Sequence, residues 1–303
     1  MDLESLSNWP TGKVGVVAVV GRPNVGKSTF LNQVLGAHLL AVSPLPQTTR
    51  QHWRGILSDE ESQIVFVDTP GAHIGSTRLN EAMLHRVDDS LKDADVILCL
   101  TDPTRAPGEE DELVAQRVHR AAKPAFLVLN KSDVTDDNQR SETETFYRQI
   151  LGTDVPCYHM SALTGEKTDT LLAEVRAQLG TGPFFYPADQ VMDAYERDIG
   201  SEIIREAALQ LLREEVPHAI AVEIMQWRDT GKKLQIKANI FVERETQKGI
   251  VVGKNGDMIK QIRQGAIRQL RGWLDKPLTL NLYVKVAKDW RNKDSFLREH
   301  GLG

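Results

Sequence analysis

Apolar runs alternate with longer amphipathic stretches through the first 180 residues. The runs are VGVVAVV (14–20), QIVFVD (63–68), DVILCL (95–100), PAFLVLN (124–130) and VPCYHM (155–160), and their hydrophobicity is continuous rather than alternating. Strands of that kind are covered on both faces, and the intervening helical patterns supply the cover. The pattern therefore predicts a mainly parallel α/β sheet. Ligands of such sheets bind at the carboxyl ends of the strands.

GTGPFFYPADQ (180–190) breaks the alternation with Gly and Pro, which predicts a domain over 1–180 and a linker over 181–192. Beyond it the order changes. A helix is expected near 193–214, strands near 219–227 and 233–243, a helix to about 274 and a strand near 278–287, a small α+β domain within 193–303. A chain of 303 residues can hold two such cores.

The net charge of −5 hides an asymmetry: residues 1–190 hold 17 Lys/Arg against 26 Asp/Glu, and residues 191–303 hold 20 against 16. The second half is thus the better candidate for a polyanionic partner. No apolar run is long enough to cross a bilayer and the start, MDLESLSNWP, is acidic and polar, so a cytoplasmic chain is expected. Cys99 and Cys157 lack metal-ligand spacing and read as buried free thiols.

GRPNVGKS (21–28) fits G-x-x-x-x-G-K-[ST] between an apolar strand and an apolar helical pattern. Gly21 and Gly26 let the backbone N–H groups of Asn24, Val25, Gly26 and Thr29 curl around phosphates at a helix N-terminus. Lys27 reaches the β and γ oxygens, and Ser28 ligates Mg²⁺. DTPGAH (68–73) places Asp68 at a strand end for a second Mg²⁺ contact, while the Gly71 N–H senses a γ-phosphate. Ala72 stands where a water-orienting glutamine might be sought, and His73 reads as a solvated surface residue. NKSD (130–133) follows the next strand. Asp133 as a buried carboxylate accepts the N1–H and 2-amino hydrogens of guanine, Asn130 contacts the base edge and the Lys131 stem covers the ring. MSAL (160–163) then brings backbone N–H groups of Ser161, Ala162 and Leu163 toward the guanine oxygen. These elements in this order predict GTP as substrate and GDP as product.

In the second half, IVVGKNGDMIKQIRQGAIRQLRGWL (250–274) places Gly253, Lys254, Asn255 and Gly256 before a helix with Ile259, Ile262, Ile267 and Leu270 on its core side and Lys260, Arg263, Arg268 and Arg271 outside. Small residues let a sugar-phosphate backbone come close. That is the logic of the G-x-x-G loop of KH domains, which clamps about four nucleotides. Lys248, Lys254, Lys260 and Arg263 would face phosphates and Ile250, Val252 and Ile259 the bases, with strand side chains from about 233 to 243 as the opposite wall.

GRPNVGKST with PQTTRQ (46–51) resembles the Era-like branch of the translation-factor-related GTPases, and the α-β-β-α-α-β order resembles a type II KH domain. The resemblance covers about residues 13–290. It implies a P-loop GTPase domain followed by a KH domain, and a switch I of Gln47, Thr48, Thr49 and Arg50 in which Thr49, favoured over Thr48, completes the Mg²⁺ shell. It also implies that Asn24 helps hold a K⁺ near the phosphates. The implied activity is slow, Mg²⁺-dependent GTP hydrolysis by a monomer that binds small-subunit rRNA near its 3′ end and assists maturation of the small ribosomal subunit. It implies no DNA partner, and membrane contact that is at most peripheral. The alternative is an RNA chaperone for which GTP is only a ligand.

Overall fold

Valine-rich β1 (Thr11–Val20) lies inside the sheet of the first unit, because a strand apolar on both faces needs cover on both. The computed structural model, which describes residues 9–36, 40 and 53–302, sets β1 parallel to both β3 (Ser62–Asp68) and β4 (Val96–Thr101). Parallel strands β5 (Ala125–Leu129) and β6 (Cys157–His159) continue beyond β4. The order β6-β5-β4-β1-β3 puts the four motif-bearing strands in one sheet with β4 between them. Helices α1 (Lys27–Leu35), α2 (Arg78–Asp93), α3 (Glu109–Ala121), α4 (Asp137–Leu151) and α5 (Thr168–Gln178) alternate with them. Every residue of β3 and β4 is buried, as continuous apolar patterning requires.

A strand that the hydrophobic pattern did not announce, β2 (Trp53–Ser58), runs antiparallel to β3. WRGILS is too short and too mixed to stand out. A tight turn supplies the missing information, with the Asp59 carboxylate accepting from the Glu61 and Ser62 amides at 3.0 and 2.7 Å.

The expected linker does not run free of the sheet. Within it β7 (Gly180–Pro183) pairs antiparallel with the first residues of β1, and β8 (Met192–Asp193) pairs with β2. Between them the buried Gln63 side chain accepts from the Phe185 and Tyr186 amides at 2.7 and 2.9 Å and donates to the Tyr186 carbonyl at 2.8 Å. Gly and Pro weaken a strand signal without preventing pairing at the end of a neighbour. One polar side chain from β3 completes the attachment.

The chain parts into a second compact unit after Asp193. There α6 (Glu196–Leu209), β9 (Ala221–Asp229), β10 (Leu234–Val242), α7 (Glu245–Val252), α8 (Asp257–Leu274) and β11 (Leu278–Val286) give the α-β-β-α-α-β order. The central β10 is antiparallel to β9 and parallel to β11. The buried stripe of α8 is Ile262, Ala266 and Leu270. Ile259 and Ile267, expected on the core side, lie half-buried at its margins, because a helix of 3.6 residues per turn keeps i, i+4 and i+8 in one narrow line.

The tail from Lys288 carries no motif, yet it completes this unit. Trp290 is fully buried and its indole N–H donates to the Ala219 carbonyl at 2.8 Å. In α9 (Asp294–Glu299) Leu297 is buried, and Phe296 stacks on His300 with ring centroids 3.8 Å apart. No helix among the described residues is long and apolar enough to cross a membrane. Trp290→Ala is expected to remove about 3–5 kcal/mol from the stability of the second unit. Urea unfolding should show the corresponding transition at lower denaturant, with the transition of the first unit in place.

Candidate functional site

The turn from β1 into α1 is shaped by glycines that nothing larger could replace. A Cβ on Gly21 would lie 2.4 Å from the Leu100 carbonyl oxygen. Gly26 has φ +100°, and its Cβ would lie 2.2 Å from Asn130 Nδ2. Asn24, also at positive φ (65°), is exposed, while Val25 is fully buried and anchors the loop. The loop lies at the carboxyl end of β1 and leads into α1. Thr29 lies half-buried in the first turn of α1.

Lys27 is buried, and its ammonium donates to the carbonyls of Gly21 and Arg22 at 3.1 and 3.0 Å. Burial pulls its pKa down to about 8, against the opposing pull of Asp68. A phosphate group beside it would restore the favourable environment for the cation. Ser28 Oγ donates to Asp68 Oδ2 at 3.3 Å. A hydroxyl and a fully buried carboxylate side by side form an all-oxygen donor pair that suits Mg²⁺, which keeps waters in its other positions. The switch I residues Gln47, Thr48, Thr49 and Arg50 lie outside the described residues.

The DTPG turn is pinned at three points. Thr69 Oγ1 donates to the Val19 carbonyl at 2.8 Å, and the Ala72 amide donates to the Gly21 carbonyl at 3.3 Å. A Cβ on Gly71 would meet Pro23 at 2.8 Å. Ala72 is 2% exposed and belongs to the core cluster with Val20, Val87 and Val114. A glutamine there would be directed into packed aliphatic side chains rather than toward a nucleotide, so the alanine follows from the backbone path. His73 is not simply solvated: its Nδ1 lies 2.5 Å from Glu110 Oε1, a partner 37 residues away on α3 that the sequence does not connect to it.

Asn130 does more than face a base edge. Its Nδ2 donates to the Val25 carbonyl at 2.7 Å, and its Oδ1 accepts from the Ala162 amide at 2.8 Å, so one buried side chain joins the phosphate loop to the MSAL loop. The Ser161 amide donates to the Glu166 carbonyl and the Ala162 amide to Asn130. Asp133, expected to be buried, is exposed at the rim with Val134 and Leu163, which are 65% and 75% exposed.

An unforeseen buried network lies beneath the loop. Arg22 Nε donates to Asp111 at 3.1 Å and its Nη2 to the Asp102 carbonyl at 3.1 Å, while Tyr147 donates to the same Asp111 carboxylate at 2.8 Å. Asp102 in turn pairs with Lys131 at 2.5 Å. Burial alone would raise the Asp102 pKa, but hydrogen bonds from Lys131 and Thr104 hold it below the usual carboxylate range. The guanidinium thus links phosphate-binding and base-reading segments. Its one sequence signal is position: Arg22 occupies a variable place inside the phosphate motif, and Asp102 follows a buried strand end.

In the second unit, α7 and α8 meet at Gly253–Gly256. Gly253 has φ +74° and its Cβ would lie 2.6 Å from Met258 Cβ; Gly256 has φ +77°, and Asn255 is also left-handed. Lys254 and Asn255 are exposed. Ile250 is 47% exposed, Val252 and Ile259 are half-buried, and Lys248, Lys260 and Arg263 are exposed or nearly so. A cavity of about 140 Å³ beside the loop is lined by Ile259, Lys260, Arg263, Asn281, Leu282 and Tyr283. Its opposite wall is therefore β11, not the 233–243 strand. β10 is central in its sheet, whereas β11 is an edge, and its Tyr283 is half-exposed.

The comparisons agree with this geometry. Residues 16–131 match the family model described as 50S ribosome-binding GTPase, and residues 215–291 match that of the KH domain. GTPase Era of Clostridium tetani is 41% identical over 290 residues, 95% of this chain and 98% of that one. GTPase Era of Clostridium acetobutylicum is 42% identical over 291 residues, 95% and 97%. Among solved structures, a point variant of Aquifex aeolicus Era bound to GDP·AlF4⁻ superposes with TM-score 0.91 at 36% identity, covering 96% of this chain and 99% of that one. Era bound to MgGDPNP and nucleotides 1506–1542 of 16S ribosomal RNA matches with the same score, identity and coverage. Full-length relatedness above 40%, with both units matched, places this chain in the Era family of GTPases.

Proposed function

We propose that this chain is a GTP-hydrolysing switch that binds the 3′ segment of small-subunit rRNA through Gly253–Gly256 and the α8–β11 groove, and assists maturation of the small ribosomal subunit. One observation carries the reading: a phosphate loop with its base-reading segments and a KH domain, both in one chain, match over nearly its full length a relative solved with a GTP analogue and the 3′ part of 16S rRNA. The description of the GTPase-domain model names the 50S subunit. That model spans the first unit alone, so the full-length RNA complex weighs more for the partner.

In the nucleotide site, α1's N-terminal amides and Lys27 hold the phosphates, and Ser28 and Asp68 hold Mg²⁺, with Thr49 completing its shell. Mg²⁺ held there would offset the charge that develops on the phosphates. Asp133 reads guanine once the base covers it, flanked by Lys131. Because Ala72 faces the core, no side chain at that position orients water. Asn24 would instead help hold a K⁺, which would supply positive charge of the kind an arginine supplies in other GTPases. The chain acts as a monomer. Lys248, Lys254, Lys260 and Arg263 bind RNA phosphates, and Ile250, Val252, Ile259 and Tyr283 offer apolar and aromatic surface to unstacked bases.

Asp133→Asn exchanges a double acceptor for an amide. GTP affinity should fall by roughly 10³-fold or more, while xanthosine triphosphate, which carries a carbonyl in place of the 2-amino group, should gain. Fluorescent-nucleotide titration with both nucleotides measures the exchange. Replacing K⁺ by Na⁺ should lower single-turnover hydrolysis, and Asn24→Ala should erase the difference between the salts; equal wild-type rates in the two salts would dismiss the cation role.

The central test is binding of an RNA oligonucleotide from the 3′ end of small-subunit rRNA with a non-hydrolysable GTP analogue present. Lys254→Asp should weaken it about tenfold or more and reduce the salt slope by about 1, with nucleotide affinity unchanged. RNA affinity that ignores this change places the contact elsewhere.

A further inference from the structure

Away from the nucleotide site, at the edge of the parallel sheet, three side chains of different chemistry converge. Glu144 lies on α4, and Cys157 and His159 occupy alternate positions of the short strand β6, so their side chains leave the strand on the same face. One donor atom from each, a carboxylate oxygen, the thiol sulfur and an imidazole nitrogen, lies within 4.8 Å of the other two. His159 Nε2 stands 3.5 Å from Glu144 Oε2. From these positions we infer that Glu144, Cys157 and His159 form a binding site for a borderline-soft divalent cation of the Zn²⁺ class.

Thiolate, imidazole and carboxylate together are the donor set that Zn²⁺ takes, with bonds of about 2.0–2.3 Å and tetrahedral donors about 3.3–3.7 Å apart. The imidazole and carboxylate already stand at that separation. The sulfur has to close by at most about 1.5 Å, within reach of a side-chain torsion at a half-buried position. Three protein ligands leave a fourth place for water, and the partial exposure of His159 and Glu144 provides the way in.

A rival cation is nearby, and its placement decides whether the site is usable. Arg148 Nε donates to Glu144 Oε1 at 2.7 Å, and its guanidinium also reaches the carbonyls of Thr153 and Val155. The arginine therefore occupies one carboxylate oxygen while the other faces His159. An ion on Oε2 leaves the arginine bond intact, and Arg148 then orients the ligand as outer partners of metal sites do. Burial pushes the Cys157 thiol up to about 12, and the Glu144 carboxylate adds to the shift, so the sulfur carries a proton until an ion takes its place. Binding forms one metal–sulfur bond, breaks the S–H bond and releases that proton to solvent.

An ion there would bridge α4 and β6, and β6 runs directly into Met160 and Ser161 of the next loop. The other thiol, Cys99, is fully buried in β4 and belongs to no such three-ligand group among the described residues, which makes it an internal control.

The test uses the full chain with its nucleotide site kept saturated by MgGDP, so that the added metal is read elsewhere. Zn²⁺ competition against a chromophoric chelator should show one site per chain, and Co²⁺ in its place should give a thiolate-to-cobalt charge-transfer band. Cys157→Ser should abolish the band and weaken Zn²⁺ at least tenfold. His159→Gln should weaken Zn²⁺ comparably, with circular dichroism and GDP affinity matching wild type as the check on folding. Absence of the band in wild type, its persistence in Cys157→Ser, or Zn²⁺ affinity unchanged in folded variants would overturn the assignment.

Discussion

The buried Asn130 side chain is the tie on which the nucleotide site depends. Its amide nitrogen holds the phosphate loop through Val25 and its oxygen holds the MSAL loop through Ala162. Three segments from the ends of different strands are thereby fixed together by a single group. Gly26 must lack a Cβ because Asn130 Nδ2 occupies the space. Removing the amide would orphan a buried carbonyl and a buried N–H at once, the costly side of hydrogen-bond energetics. Beneath it the Arg22 guanidinium ties the same loop to Asp102 and Asp111, and through Asp102 to Lys131. Buried polar side chains thus tie the phosphate loop to the segments that follow β4, β5 and β6.

The same rigidity explains what is missing from the turn after Asp68. Thr69 and the Ala72 amide fasten the turn to β1 and to the phosphate loop, so the next side chain points into the core, where alanine fits. Position 72 therefore supplies no side chain that could orient water in this site.

In the second unit a strained, glycine-dependent loop sits between two helices and beside an edge strand. Gly253 and Gly256 adopt left-handed backbone, and the first lies against Met258 with no room for a side chain. The exposed Lys254 and Asn255 are held out by that geometry. The groove next to them ends at β11, because a parallel edge strand presents its outer side chains while the central strand is covered. The C-terminal tail stabilises the unit through Trp290 and Phe296 rather than adding a site.

Much of this was legible in the sequence, since continuous apolar runs mark doubly covered strands and since phosphate and guanine recognition demand particular residues at short, fixed spacings. The five parallel strands, the phosphate loop, NKSD and the G-x-x-G turn were read that way. What the sequence could not supply was the partner of any side chain far along the chain. Gln63 clasping the supposed linker, His73 against Glu110, Arg22 on Asp111, β11 as the groove wall and Cys157 beside Glu144 are all of this kind. Local periodicity and motif spacing are properties of neighbouring residues, so the chain alone determines them. Which buried polar group meets which depends on how strands are ordered in a sheet and where helices cross it, and only the folded structure decides that.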